Sequence, residues 1–228
     1  MKLQKETKSH GKWYDDACGT AFAMEVVGER WALLVMRELM LGPRRFSDLR
    51  GSLPGISAKV LTERLASLEN AGVLLKRHLP SPAPAQVYEL TEWGYRAEPL
   101  IQELGRWAAM SSRHDPTLPL SPVSLMLSMR TMVDHARIAE VEGCRIGFAI
   151  GADRFLAEPR DGNLPIRRAE RLEADAVFHA PAAPVLAGGI YAGVPWAELE
   201  RDAGLRIDGD RALALRYVSL FSLPPKLA

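Results

Sequence analysis

RRFSDLRGSLPGISAKVLTERLASLENAG, residues 44–72, decides the fold of this chain, because it reads as two short helices joined by a tight turn. The second helix should begin near Ser57, whose hydroxyl can accept from a free backbone N–H at a helix start. It should end at Gly72, which reaches the left-handed conformation that closes helices. Leu61, Leu65 and Leu68 fall at i, i+4 and i+7 and form one apolar stripe. Lys59, Thr62, Glu63 and Ala66 repeat at the same spacing on another face, which is small, polar and able to enter a major groove. Any amphipathic surface helix has a solvated face, so this helix alone does not separate a DNA reader from an ordinary one.

The chain that follows, VLLKRHLPSPAPAQVYELTEWG at 73–94, separates the two. It reads as a strand carrying Lys76 and Arg77, a proline-rich tip at 80–84 and a returning strand at 86–90. Prolines cannot sit in a central ladder but suit an exposed, extended hairpin tip. A helix of this kind followed at once by a basic hairpin is a winged helix. Between Pro43 and Arg77 the chain has seven Lys or Arg residues against three acids, a local excess of the kind a DNA-facing surface carries. Lys76 and Arg77 would meet phosphates, adding salt-sensitive affinity without sequence information.

These residues resemble the HxlR-type winged-helix transcriptional regulators, related in fold to the MarR group. The match runs from Cys18 to about Trp107, through RWALLVMREL, GPRRFSDL, LPGIS, LTERL and VYELTEWG in that order. One departure is Gln86, which stands before Val87 where the family carries an arginine. The resemblance implies a homodimer formed by the first helix and the helix after the wing, reading a pseudo-palindromic operator on double-stranded DNA. Ser57, Lys59, Thr62 and Glu63 would face base edges or nearby phosphates, and Arg44, Arg45, Arg64, Lys76 and Arg77 would anchor the DNA backbone.

At 228 residues the chain suits two domains of roughly 100 residues each. The net charge of +1 divides unevenly: residues 1–114 carry 16 basic and 13 acidic side chains, and residues 115–228 carry 13 and 15. Two cysteines, Cys18 and Cys144, make no disulfide framework. No apolar stretch is long enough to span a bilayer, and the charged opening MKLQKETKSHGKWYDD is unlike a secretory signal. These features point to a soluble, cytoplasmic protein that makes no membrane contact.

Along the chain, residues 1–16 read as a polar arm or short helix. Helices are expected over 17–27 and 29–41, the latter with Trp31, Leu34, Val35 and Leu39 inward, and Ser47 should cap the short helix before Leu53. A long helix capped by Thr91 should run to about residue 113, kinked at Pro99, with a broad apolar face of Trp93, Ala97, Leu100, Ile101, Leu104 and Trp107. SSRHDPTLPLSP at 111–122 has three prolines and little periodicity, and marks a boundary between domains at 1–114 and 115–228. The second half should open on a helix over 122–141, followed by strands at 144–151, 154–159 and 174–179, with a hairpin turn at Asp161-Gly162-Asn163. Helices over 186–192 and 196–203, a strand at 205–207 and a closing helix over 211–221 complete it.

The segments EADAVFHAP, YAGVPWAELERDAGLRIDGD and ALALRYVSLF resemble the sterol carrier protein type-2-like domain. The fold class implied is α+β: a winged helix-turn-helix, then an α/β domain with a mostly antiparallel sheet and a cavity for apolar molecules. Phe148, Ile150, Phe155, Phe178, Leu186, Ile190, Tyr191, Val194 and Leu213 are the bulky groups that would line such a pocket, and they would equally fill an ordinary core. An apolar small molecule bound there would be the effector.

Reactive constellations are scarce. His10, His78, His114, His135 and His179 lack metal-ligand spacing, and no phosphate loop, dinucleotide fingerprint or nucleophile elbow occurs. No cofactor, metal or catalytic residue is expected, and the chain reads as a non-enzyme. Cys18 opens the first helix, where the helix dipole favours thiolate, while Asp15 and Asp16 oppose it. Two readings of Cys18 stand side by side: a redox or electrophile sensor, and a small residue packed at the dimer interface.

Overall fold

The computed structural model describes residues 14–79 and 84–227, so His10 and the wing-tip prolines Pro80 and Pro82 lie outside the described residues. The first half runs α1 (Gly19–Val27), α2 (Ala32–Leu39), α3 (Phe46–Ser52), α4 (Ala58–Asn70), β1 (Leu74–Leu79), β2 (Ala85–Leu90), α5 (Glu92–Tyr95) and α6 (Glu98–Ala109). Strands β1 and β2 form an antiparallel hairpin in which Lys76 faces Tyr88 and Arg77 faces Val87. Arg44 adds a further rung: its N–H donates to the Tyr88 carbonyl at 3.0 Å, and Tyr88 returns the bond at 2.8 Å. The turn between α3 and α4 needs Gly55, whose φ of +88° L side chains rarely adopt.

The second half continues with α7 (Pro122–Met132), a 3-10 turn (His135–Val141), β3 (Ile146–Ile150), β4 (Asp153–Ala157), β5 (Ile166–Arg168), β6 (Ala176–Ala180), α8 (Ala183–Tyr191), α9 (Trp196–Asp202), β7 (Arg206–Gly209) and α10 (Arg211–Val218). The five strands lie in the order β5-β4-β3-β6-β7. Every pairing is antiparallel except that of the central strand β3 with β6. Gly209 closes β7 at φ +80°, where a Cβ would stand 2.3 Å from the Asp175 carbonyl oxygen, so this place accepts glycine only.

The two halves share one continuous apolar core. In the first, Val35, Leu39, Leu49, Leu61 and Leu65 are buried; in the second, Phe148, Phe155, Phe178, Leu186 and Tyr217 are. Helix α7 lies between them, with Leu125, Met126 and Met129 fully buried. Each such side chain withdrawn from water contributes about 1.5–3 kcal/mol, so α7 belongs energetically to both halves.

Several elements differ from the sequence expectations, each for a local reason. The helix expected from residue 29 starts at Ala32 because Trp31 takes a left-handed backbone at φ +80°, and Leu34 points outward. Ser47 lies inside α3 rather than capping it, bonded to Asp48 at 3.2 Å. The long helix expected after Thr91 is two helices, and Pro99 sits in the first turn of α6, where its missing N–H costs nothing, instead of kinking a continuous rod. The helix expected over 122–141 stops at Met132, because Val133 turns extended and bridges to Phe221, after which Asp134 caps the 3-10 turn. Strand β5 was not foreseen: its three residues IRR carry no alternation long enough to read.

Candidate nucleic-acid interface

Helix α4 presents two opposed faces. Leu61, Leu65 and Leu68 are each at most 1% exposed, whereas Lys59, Thr62, Glu63 and Ala66 are exposed. Ser57 is the N-cap, with extended backbone and a side chain accepting from the Val60 N–H at 3.2 Å. Thr62 folds its hydroxyl back onto the Ala58 carbonyl at 2.9 Å, which uses its proton and leaves the oxygen able to accept. A small polar surface at a helix start, flanked by cations, is the chemistry that reads base edges in a groove.

The cations around α4 fall into three kinds. Arg45, Arg50 and Lys59 are exposed, and their side chains have no ion-pair partner among the described residues. Lys76 holds Glu69 at 2.8 Å and lies 6.0 Å from the Tyr88 ring centre, and Arg77 pairs with Glu89 across the wing. The Glu69 hydrogen bond and charge raise the Lys76 pKa above its ordinary value. Arg64 is mostly covered and pairs with Glu29 at 3.3 Å.

Arg44 corrects its expected role. It is 9% exposed, and its guanidinium turns away from α4 to meet Asp153 at 2.7 Å and the Ser52 hydroxyl at 3.2 Å. Its backbone is fixed by the Tyr88 rung, so the side chain is aimed at β4 and not at phosphate. Arg168 meets the same Asp153 oxygen at 2.5 Å. Burial pushes the Asp153 carboxyl up, but the hydrogen bond and charge of Arg168, with those of Arg44, outweigh it and hold the pKa below the usual value. Nearby junction contacts are polar too. Buried Glu38 accepts from the Ser121 hydroxyl at 2.7 Å, and Arg130 bonds Glu98 at 2.5 Å. Sequence reasoning missed these pairs, which join residues 15 to 109 positions apart, and it left exposed Arg50 out of the expected DNA-facing set.

Cys18 is exposed at the N-cap of α1. Backbone N–H groups of Thr20 and Ala21 favour its thiolate and lower the pKa. Asp16 turns its carboxylate to the Cys18 N–H at 2.9 Å, so the carboxylate is engaged by backbone. Cys144 is half-buried, and burial pushes its thiol up to about 11.

The expected pocket lining is largely solid. Phe148, Phe155, Phe178 and Leu186 are 0% exposed and Ile150 is 1%. Phe148 stacks on Phe178 with centroids 5.5 Å apart, and Tyr217 tilts against Phe148 at 5.9 Å. These five side chains fill the space between sheet and helices, so they are core and not cavity wall. Ile190, Tyr191, Val194 and Leu213 are half-buried against that core, and Tyr191 also lines a cavity of about 680 Å³. Among the described residues no cluster of side chains has the makings of a metal site, and no helix is long and apolar enough to cross a membrane.

The family model for the HxlR-like helix-turn-helix matches residues 26–116. The regulator YvaP of Bacillus subtilis is 35% identical over 86 residues, which is 38% of this chain and 80% of that protein. The HTH-type transcriptional regulator YodB of the same organism is 37% identical over 86 residues, 38% of this chain and 77% of that protein. A crystal form of reduced YodB aligns with a TM-score of 0.39 at 33% identity, covering 44% of this chain and all of that one.

Proposed function

Because this chain belongs to the HxlR-like helix-turn-helix family, we propose that it is a homodimeric, sequence-specific regulator of transcription whose second half answers to a small molecule. The observation that carries the DNA-binding part is the division of α4 into a buried leucine stripe and an outward face of Lys59, Thr62 and Glu63 beginning at the Ser57 cap. Two copies would place two α4 helices in successive major grooves of a pseudo-palindromic operator. Arg45, Arg50 and Lys59 are ready for phosphate as they stand, whereas Lys76 and Arg77 must exchange a carboxylate for it.

The dimer reading is supported by a run of exposed apolar side chains. Trp107 is 72% exposed, Leu100 47% and Leu104 40%, all on α6, while Phe22 and Met24 on α1 are 48% and 47% exposed. Apolar groups clustered on two helices mark a surface that a partner covers. The second half is read as a sterol-carrier-like effector module, in keeping with its mostly antiparallel sheet and flanking helices. No catalytic role is assigned to any residue, and the protein is read as cytoplasmic.

The test is fluorescence anisotropy of the full chain on DNA flanking its own gene, at two salt concentrations. Sequence-specific binding is expected. Thr62→Ala should blunt discrimination between operator variants, and Lys59→Ala should weaken binding to all DNA with a salt slope shallower by about 1. Equal affinity for operator and unrelated DNA at both salts would overturn the reading. A second reading, oxidant or electrophile sensing at Cys18, is favoured by the exposure and lowered pKa of that thiol. Oxidant-driven DNA release that disappears in Cys18→Ser would select it.

A further inference from the structure

The cavity of about 680 Å³ lies between α8 and the segment that joins the two halves. Helix α8 presents Pro184, Ala187 and Gly188 beside Tyr191 on that side, followed by its C-cap Ala192, and these small side chains leave the space open. Opposite, the joining segment contributes Leu118 and Leu120. Its size is that of a pocket for one small organic molecule.

The polar groups stand at the two ends. At the floor the Tyr191 hydroxyl and the Ser128 hydroxyl lie 2.9 Å apart, a pair that can both donate and accept. At the mouth are Arg113, His114 and Asp115. The Asp115 carboxylate is occupied by its own turn, accepting from the Thr117 hydroxyl at 2.6 Å and the Thr117 N–H at 2.9 Å. Arg113 is exposed, and its guanidinium has no partner among the described residues. A free cation at the rim, an apolar wall and a hydroxyl pair at depth together describe the complement of one kind of ligand.

We infer that this cavity binds an amphipathic monocarboxylate with a hydroxyl or carbonyl at its far end, the carboxylate on Arg113 and the far oxygen on Tyr191 and Ser128. The inference deepens the proposed function, because it moves the effector site from the sheet to the joint, and it rests on the ligand-responsive part of that reading. An occupant would also bear on DNA binding. Arg113 lies four residues beyond the end of α6, so a carboxylate that draws Arg113 toward α8 pulls on the short segment leaving the helix assigned to the dimer.

Isothermal titration of the full chain with ω-hydroxylaurate, laurate and the methyl ester of ω-hydroxylaurate tests the site. The hydroxy acid should bind best and the ester about tenfold more weakly, the worth of one charge-assisted hydrogen bond. Arg113→Gln should erase the preference of acid over ester, and Tyr191→Phe should narrow that of hydroxy acid over laurate. Ala187→Phe fills the space and should abolish binding of all three, and Leu118→Asp, on an exposed position, puts a like charge in the wall without touching the core and should weaken the two acids more than the neutral ester. No binding by the wild type, or binding unchanged in Arg113→Gln and Leu118→Asp, would overturn the site. Anisotropy of the same proteins on operator DNA, without lipid, separates the two failures. Specific DNA binding with no lipid binding sinks the cavity site alone, and lipid binding without specific DNA binding sinks the regulator reading alone.

Discussion

At the scale of single residues, the wing cations are already spoken for. Lys76 must leave Glu69 to reach a phosphate, so part of what DNA offers it is cancelled by the carboxylate it gives up. Glu69→Gln should therefore raise affinity for all DNA and steepen the salt dependence by about one counterion, measured by anisotropy across a salt series; an unchanged slope would show that Lys76 does not meet phosphate. The two thiols should differ as sharply. Cys18, exposed and favoured as thiolate, should be alkylated by iodoacetamide at neutral pH well before Cys144, whose half-buried thiol is pushed up to about 11. Peptide mass spectrometry over time reads this, and equal rates would contradict it. The outward face of α4 was legible in the sequence because the exposure of Lys59, Thr62, Glu63 and Ala66 follows from helical period alone. Arg44 was not, since its neighbour Arg45 is exposed and only the rung to Tyr88 turns the one inward and leaves the other out.

At the scale of elements, the starts that hydroxyl caps announce were readable: Ser57 and Thr91 each accept a backbone N–H from three residues on. Ends were less so. The break at Val133 depends on a bridge to Phe221, 88 positions away, which no local pattern carries. The nine residues expected to line a pocket show the same limit, for a bulky apolar side chain reads identically whether it bounds a void or fills one. Helix α6 is the element whose surface asks for a partner, since Leu100, Leu104 and Trp107 remain open to water. Leu104→Glu combined with Trp107→Glu should convert a dimer to a monomer in sedimentation velocity with little loss of helix content. A dimer that survives both substitutions would move the interface elsewhere.

At the scale of the molecule, the two halves are joined by charge as well as by core. Asp153 holds Arg44 from one half and Arg168 from the other, so Asp153→Asn should cost about 1.5–3 kcal/mol in denaturant unfolding at neutral pH, the worth of a hydrogen bond to a charged group. The pH dependence has a definite sign. An unfolded aspartate titrates near about 3.9, and the Asp153 value in the fold lies below the ordinary one. Its contribution is fully present above the unfolded value and is lost as pH falls through the folded value. Between about pH 5 and pH 2 the wild type should thus lose more stability than Asp153→Asn; parallel curves would remove Asp153 from the account. The end of the chain adds a further tie. Leu227 donates its N–H to the Met110 carbonyl at 2.7 Å, and the Lys226 ammonium reaches the Ala109 carbonyl at 2.9 Å and that of Ser111 at 3.1 Å. The second half is consequently fastened to the end of α6 twice, once by the peptide that leaves it and once by the peptide that returns. The last turn of α6 is thereby one of the places where the second half grips the first, beside the shared core around α7 and the Asp153 pairs.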